Sequence, residues 1–177
     1  MRHIANVIDQ CEDGNKRTRT LRQIEGITVH MIDVGKNAAE ICKFLKNYPK
    51  IRGMSYTFVV NEHGYIEQAK PLTAITPHAK NHNTATLGVA CIGDFRVKEP
   101  PQEQWQACVD LCAFISFYVN RISVNEIRGH DERPNSSDDP DKHCPGRRWE
   151  MSRFRTAVSQ RMRTVSMAEL MIAGIAI

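Results

Sequence analysis

Two runs of apolar and β-branched residues constrain the fold of this chain more than any other feature. They lie at residues 24–34 (IEGITVHMIDV) and 87–92 (LGVACI). Continuous runs of this length are typical of buried strands. Two other segments, 37–48 and 104–120, carry apolar residues every three or four positions, which predicts amphipathic helices. Buried strands that alternate with helices favour an α/β fold.

Three further segments extend this pattern. Residues 55–61 (SYTFVVN) alternate in polarity and precede a turn at 62–64 and a returning segment at 65–68, which predicts a hairpin with its glycine at a positive φ. Residues 122–128 are long enough for one more short strand, and residues 149–164 are typical of a closing basic helix. We therefore expect a single α/β domain, with a central mixed sheet of five or six strands and helices on both sides.

The composition excludes several classes of protein. Of the 177 residues, 41% are hydrophobic and 25% are charged, as in an ordinary globular domain. The net charge of +4 is too small to indicate a nucleic-acid partner, and no apolar stretch approaches the ~18 residues of a membrane span. The N-terminal residues MRHIANVIDQCEDGNKR lack the apolar core of a secretory signal, so we expect the chain to be cytoplasmic when it is made.

Two histidines and one cysteine form a candidate metal-binding set. His30 lies in the first apolar run, His130 follows the segment 122–128, and Cys144 lies in a long polar loop. Two imidazoles and one thiolate suit zinc and leave a fourth position for water, as in catalytic zinc sites. The spacing alone does not select this trio, because the chain has seven histidines and six cysteines. An isolated strand histidine can equally be a hydrogen-bonded core residue.

Five segments together resemble a known family, the zinc-dependent N-acetylmuramoyl-L-alanine amidases, whose fold is shared by phage amidase lysins and peptidoglycan-recognition proteins. They stand in the order of that family and extend over roughly residues 24–155. The segments are ITVHMID around His30, SYTFVVNEHGYIEQAKPL from Ser55, HAKNHNTATLGVACIGDF from His78, IRGHDE around His130 and DPDKHCPG around Cys144.

The resemblance implies one zinc ion per chain, held by His30, His130 and Cys144. Zinc in such a site lowers the pKa of its bound water to about 7. In contrast, Cys108 and Cys112 lie four residues apart on an otherwise apolar helical stripe, so we interpret them as core residues.

The resemblance also implies roles for four other residues. Tyr56 matches the tyrosine that faces the metal-bound water, and Lys142 matches a lysine that phage-type enzymes use beside the metal. His78 and Asn83 match a segment that lines the substrate groove. Each has a structural alternative: a packed hairpin residue for Tyr56, a solvated loop residue for Lys142, and turn residues for His78 and Asn83.

The implied reaction is hydrolysis of the amide between the lactyl group of N-acetylmuramic acid and L-alanine in peptidoglycan. We favour a phage or prophage endolysin, which acts on the cell wall after its release, because Lys142 and Cys144 form the Lys-x-Cys arrangement of phage-type enzymes. A cytosolic amidase that recycles anhydro-muropeptides is the alternative. A non-catalytic peptidoglycan-binding module is a third interpretation, which the presence of Cys144 disfavours. A zinc peptidase that carries its metal ligands on a helix is disfavoured because the HExxH motif is missing.

The sequence divides the chain into three parts. We interpret residues 1–20 as a polar lead-in arm, 21–164 as the amidase domain and 165–177 as an apolar tail. The tail is too short to span a bilayer. We expect it to dock on the body or on a second subunit, with weak contact to a membrane surface as the alternative.

Overall fold

A six-stranded mixed sheet forms the centre of the protein. The structure is a computed structural model that describes residues 3–11, 16–47, 53–135 and 143–165. The strands are β1 (Ile4–Asn6), β2 (Gly26–Ile32), β3 (Phe58–Val60), β4 (Ile66–Gln68), β5 (Thr86–Ile92) and β6 (Ile127–Gly129). Their order is β1-β4-β3-β5-β2-β6. β3 and β4 pair in the antiparallel sense, as the predicted hairpin requires, and the other neighbours are parallel.

The two apolar runs of the sequence form the two central strands. β2 and β5 pair in parallel over their whole length, from Gly26 opposite Thr86 to Ile32 opposite Ile92. Every residue of β5 before Ile92 is buried. This confirms the prediction of buried strands, because a strand covered on both faces has no solvent side on which to place polar residues.

In the described part of the chain, three α-helices cover the two faces of the sheet, which confirms the predicted arrangement. They are α1 (Ala38–Lys46), α2 (Gln102–Tyr118) and α3 (Met151–Met162). α2 and α3 pack on the face that carries Val29 and Val89, and α1 packs on the opposite face with Ala90. None of the helices in the described part of the chain is both long enough and apolar enough to cross a membrane.

The face that α1 partly covers is also the face of the candidate metal ligands. His30 pairs with Ala90 of β5, and Thr28 pairs with Gly88. Opposed residues of neighbouring strands point to the same side of a sheet. Small residues on β5 therefore leave space on this face for the larger side chains of the site.

Part of the segment that we interpreted as a polar lead-in arm, residues 1–20, pairs with the sheet or is buried against it. β1 pairs with β4, Ile4 is 1% exposed and Cys11 is fully buried. Arg19 is buried too, and donates to the backbone carbonyls of Leu72, Asn83, Thr84 and Thr86. Three strand residues are too few to show an alternating pattern, and β1 forms because it pairs the otherwise open edge of β4.

The apolar tail remains a prediction for the most part. Residues 166–177 lie outside the described residues. Val165, the first residue of the proposed tail, is partly buried and packs against the core. Its contact agrees with docking on the body, while self-association and membrane contact stay untested.

Candidate metal centre and active site

The three candidate ligands converge although they are far apart in the sequence. His30 lies within β2, His130 begins a 3₁₀ turn directly after β6, and Cys144 lies in the loop before α3. Their ligand atoms lie within 4.8 Å of one another, and all three residues are buried. Cys144 Sγ is 3.7 Å from His30 Nδ1, and the two imidazole centroids are 4.7 Å apart.

The geometry of this trio fits zinc. Tetrahedral zinc with usual bond lengths holds a sulfur and a nitrogen ligand about 3.6 Å apart, close to the 3.7 Å between Cys144 Sγ and His30 Nδ1. Three polar ligands gathered in a buried place are costly to desolvate unless they share a partner. Among the described residues, this is the one cluster of at least three possible ligand side chains with that geometry.

Backbone contacts on both sides hold the loop that carries Cys144. The N–H of Asp131 donates to the carbonyl of Cys144 at 2.9 Å, which ties the loop to the turn after β6. The N–H of Arg148 donates to the carbonyl of Phe95 at 2.8 Å. Gly146, at φ 113°, lies so close to Phe95 that a Cβ would overlap its backbone. The thiol is thus positioned from two separate parts of the fold.

The turn that carries His130 is anchored to α3. Glu132 accepts a hydrogen bond from the N–H of Gly129 at 2.9 Å and forms an ion pair with Arg155 of α3 at 2.7 Å. Burial alone would raise the pKa of the Glu132 carboxyl, but the hydrogen bonds from Arg155 and Gly129 outweigh it and lower the pKa. The carboxylate is therefore ionised at neutral pH and joins the end of β6 to the helix.

His78 lies behind the candidate ligand His30 and is buried. Its Nδ1 is 3.1 Å from His30 Nε2, and its Nε2 is 3.1 Å from the carbonyl oxygen of Thr86. Burial lowers the pKa of His78 to about 3, so its imidazole is neutral at pH 7. Asn83 accepts hydrogen bonds from the backbone N–H groups of His78 and Ala79. Both side chains contact the chain itself, and their predicted contact with substrate stays a prediction.

Tyr56 lies beside His30, and its predicted role opposite a metal-bound water stays a prediction. Its ring centroid is 5.2 Å from that of His30, and the residue is partly buried. Burial, followed by the nearby Cys144 and Asp33, raises the pKa of the phenol above its ordinary value. Tyr56 therefore keeps its proton at neutral pH and can donate a hydrogen bond. Lys142 lies outside the described residues, so its predicted place beside the metal is untested.

Other histidines and cysteines of the described residues have different surroundings. His143 pairs with Arg147 at 2.8 Å, and the side chain of His63 is 70% exposed in the hairpin turn. Cys108 and Cys112 are fully buried among apolar residues, which confirms their interpretation as core residues.

Sequence reasoning missed the residues that support the ligands. Asp131 and Glu132 follow His130, and in the sequence nothing distinguishes them from exposed acidic residues. Their backbone partners are visible in the structure alone. Gly88 and Gly146 offered a signal, because a glycine inside an apolar strand or a tight loop often marks a close approach of other groups. A Cβ at Gly88 would lie 2.9 Å from Cγ of His78.

The fold and the site together describe an α/β domain that carries a buried His-His-Cys trio on one face of its sheet. Residues 20–147 match the N-acetylmuramoyl-L-alanine amidase family. The match extends over more than half of the chain, and the protein belongs to this family.

Individual relatives agree with this membership. Peptidoglycan-recognition protein LB of Drosophila melanogaster is 28% identical over 95 residues, which make up 54% of this chain and 38% of that protein. The chain therefore matches well under two thirds of that relative's length.

Two solved structures share the fold. The N-acetylmuramoyl-L-alanine amidase LysC from Clostridium intestinale URNW superposes with a TM-score of 0.73 over 90% of this chain and 99% of its own, at 18% identity. The Ph2119 endolysin from Thermus scotoductus MAT2119 bacteriophage Ph2119 gives 0.70 over 88% and 99%, also at 18% identity. At this identity, the likeness is one of fold.

Proposed function

We propose that this protein is a zinc-dependent amidase that hydrolyses the bond between N-acetylmuramic acid and L-alanine in peptidoglycan. The observation that carries this proposal is the buried trio of His30, His130 and Cys144, with ligand atoms within 4.8 Å of one another and Tyr56 alongside. Family membership supports the same reaction.

The residues of the chain divide the work of amide hydrolysis. His30, His130 and Cys144 would hold the metal, which supplies a Lewis acid and an acidified water at neutral pH when it is bound. The phenol O–H of Tyr56 donates a hydrogen bond to the oxygen on which negative charge develops. Water adds its oxygen to the lactyl carbonyl carbon, the C–N bond breaks, and the amine of L-alanine takes up a proton. Lys142 is proposed to assist Tyr56 in stabilising charge or supplying that proton.

The biological setting that we propose is a phage or prophage endolysin. The Lys-x-Cys arrangement at residues 142–144 supports it, as does the likeness of fold to endolysins. Such a protein would be cytoplasmic on synthesis and would reach the wall after its release. A cytosolic amidase that recycles anhydro-muropeptides uses the same chemistry and is the alternative setting.

A second candidate is a module that binds peptidoglycan without cutting it. The similarity to a peptidoglycan-recognition protein favours this candidate. The complete set of ligands opposes it, because a pure binding module has no need for a buried thiol beside two imidazoles. Cys144 therefore separates the two candidates.

Digestion of purified murein, followed by mass analysis of the products, tests the proposal. We expect stem peptides with a free L-alanine amine and intact glycan chains, and about one zinc per chain. Cys144→Ser should lose zinc and most activity. The matched Cys108→Ser, in the apolar core, should keep both.

Three results would contradict the proposal. Cleaved glycan chains or trimmed peptides would indicate a different bond, and a metal-free yet active protein would exclude the zinc mechanism. Tight murein binding without any product would favour the binding module.

A further inference from the structure

A series of hydrogen bonds runs from the side of the His30 ring that faces away from Cys144 into the interior of the fold. His30 Nε2 is 3.1 Å from His78 Nδ1, and His78 Nε2 is 3.1 Å from the carbonyl oxygen of Thr86. On its other side, His30 Nδ1 faces Cys144 Sγ at 3.7 Å. His30 is 2% exposed and His78 is 6% exposed, so bulk water competes little for these bonds.

The carbonyl of Thr86 determines which atom donates in each hydrogen bond of this series. A carbonyl oxygen can only accept, so His78 Nε2 must carry the hydrogen of that bond. An imidazole with a single ring hydrogen, here at Nε2, has its lone pair at Nδ1, so Nδ1 of His78 accepts the 3.1 Å hydrogen bond from His30 Nε2–H. His30 in this tautomer has its other lone pair at Nδ1, the atom that faces Cys144.

The fold holds His78 in this orientation from two directions. Asn83 Oδ1 accepts a hydrogen bond from the backbone N–H of His78 at 2.9 Å, which fixes the backbone from which the His78 side chain extends. On the other side, the imidazole lies against Gly88 of β5, where a Cβ would come within 2.9 Å of Cγ of His78. The absence of a side chain at Gly88 provides the space for the ring.

We propose that His78 is a positioning residue that keeps His30 in the Nε2–H tautomer and thereby makes Nδ1 its metal-binding atom, with the position of the ring set by Gly88 and Thr86. This inference rests on the proposed metal site. His78 acts through His30, and its own side chain is not a metal ligand.

An acceptor at position 78 therefore matters more than the shape of the side chain. Phenylalanine has nearly the shape of histidine but offers no acceptor, so His30 Nε2–H would lose its partner inside the protein. Asparagine places its Oδ1 close to the position of Nδ1 and can accept the same bond. Loss of such a partner of a ligating histidine typically weakens metal binding 10–100-fold.

Zinc affinity of the full-length variants, measured by competition with a chromophoric chelator, tests the proposal. We expect His78→Phe to weaken zinc binding roughly 10–100-fold and His78→Asn to restore it to within a few-fold of wild type. His63→Phe is the matched control, because His63 is exposed in a turn, and its zinc affinity should be unchanged. Equal affinities for wild type and His78→Phe would overturn the proposal.

The tautomer of His30 provides a readout that needs neither zinc nor catalysis. ¹⁵N chemical shifts of the metal-free wild type should show His30 protonated at Nε2, and this preference should be lost in His78→Phe. A wild-type His30 protonated at Nδ1 would overturn the proposal even if His78→Phe failed to fold. If the wild type shows the expected tautomer but binds no zinc, the proposed function fails and the hydrogen-bond assignment stands.

Discussion

At the residue scale, Tyr56 and His78 flank His30 but do different work. Tyr56 has a phenol with a raised pKa, its ring lies beside that of His30, and we propose that it contacts a reacting group. His78 is buried behind the candidate ligand His30 and bonds to His30 and to the carbonyl of Thr86. Substitutions at the two positions should therefore affect different measurements.

Tyr56→Phe should lower kcat about 10²–10³-fold and leave zinc affinity unchanged, because it removes one hydrogen-bond donor to developing charge but no ligand. Turnover on a soluble muropeptide and a zinc titration measure the two effects. Tyr65→Phe is the matched control, since Tyr65 is 63% exposed. Full activity of Tyr56→Phe would remove the proposed role of the phenol.

The buried His78 should make the metal-free protein less stable in acid. Its pKa is about 3 in the folded protein against 6.5 ordinarily, because burial opposes the charged form. Between these values the unfolded chain binds a proton that the folded chain does not, so stability is lost as the pH falls below about 6.5. The slope from one such group is at most ~1.4 kcal/mol per pH unit.

Urea unfolding at pH 7, 6 and 5 in the presence of a chelator checks this dependence. His78→Asn removes the titrating group, and its unfolding free energy should fall less steeply over this range than that of the wild type. Identical slopes for the two proteins would show that His78 has an ordinary pKa.

At the scale of elements, short edge segments hold the ends of the sheet. β1 closes the edge beside β4, and the turn after β6 is held to α3 by Glu132 and Arg155. β6 is itself three residues long, yet the segment that follows it carries His130. The ligand is therefore positioned by contacts from neighbouring elements rather than by a long strand.

Ile4→Ala should destabilise the protein by about 2 kcal/mol, because it leaves a cavity where β1 packs on the core. Val97→Ala is the control, since Val97 is 72% exposed and should change the unfolding free energy by less than ~0.5 kcal/mol. Chemical denaturation measures both. A negligible effect of Ile4→Ala would contradict the packing of β1 on the core.

At the scale of the whole molecule, the candidate metal joins three distant parts of the chain. His30 and Cys144 are 114 residues apart, and a shared ligand bound to the folded state alone stabilises that state as a whole. Free zinc at 100 times its dissociation constant contributes ~2.7 kcal/mol.

Zinc at that excess should raise the Tm of the metal-free protein by roughly 5–10 °C, given the usual response of a domain of this size. Scanning calorimetry with zinc or with a chelator measures the shift. Cys108→Ser should show the same increase, and Cys144→Ser should show little of it. An equal increase in Cys144→Ser would exclude Cys144 as a ligand.

The sequence alone determined those features that depend on near neighbours in the chain. The continuous apolar runs predicted β2 and β5, the helical periodicity predicted α1 and α2, and the hairpin glycine, Gly64, adopts the expected positive φ of 73°. Local context around His30, His130 and Cys144 selected the trio through resemblance to a family. These signals are readable because burial and turn geometry act on residues a few positions apart.

Which distant groups meet becomes apparent in the folded chain. The fold places β1 against β4, the carbonyl of Cys144 on the N–H of Asp131, and His78 between His30 and Thr86. Pairing and hydrogen bonding of this kind depend on the packing of the whole sheet, which leaves no periodic trace in the sequence. The candidate ligands can be chosen from the sequence, but the groups that contact and orient them become visible once the chain is folded.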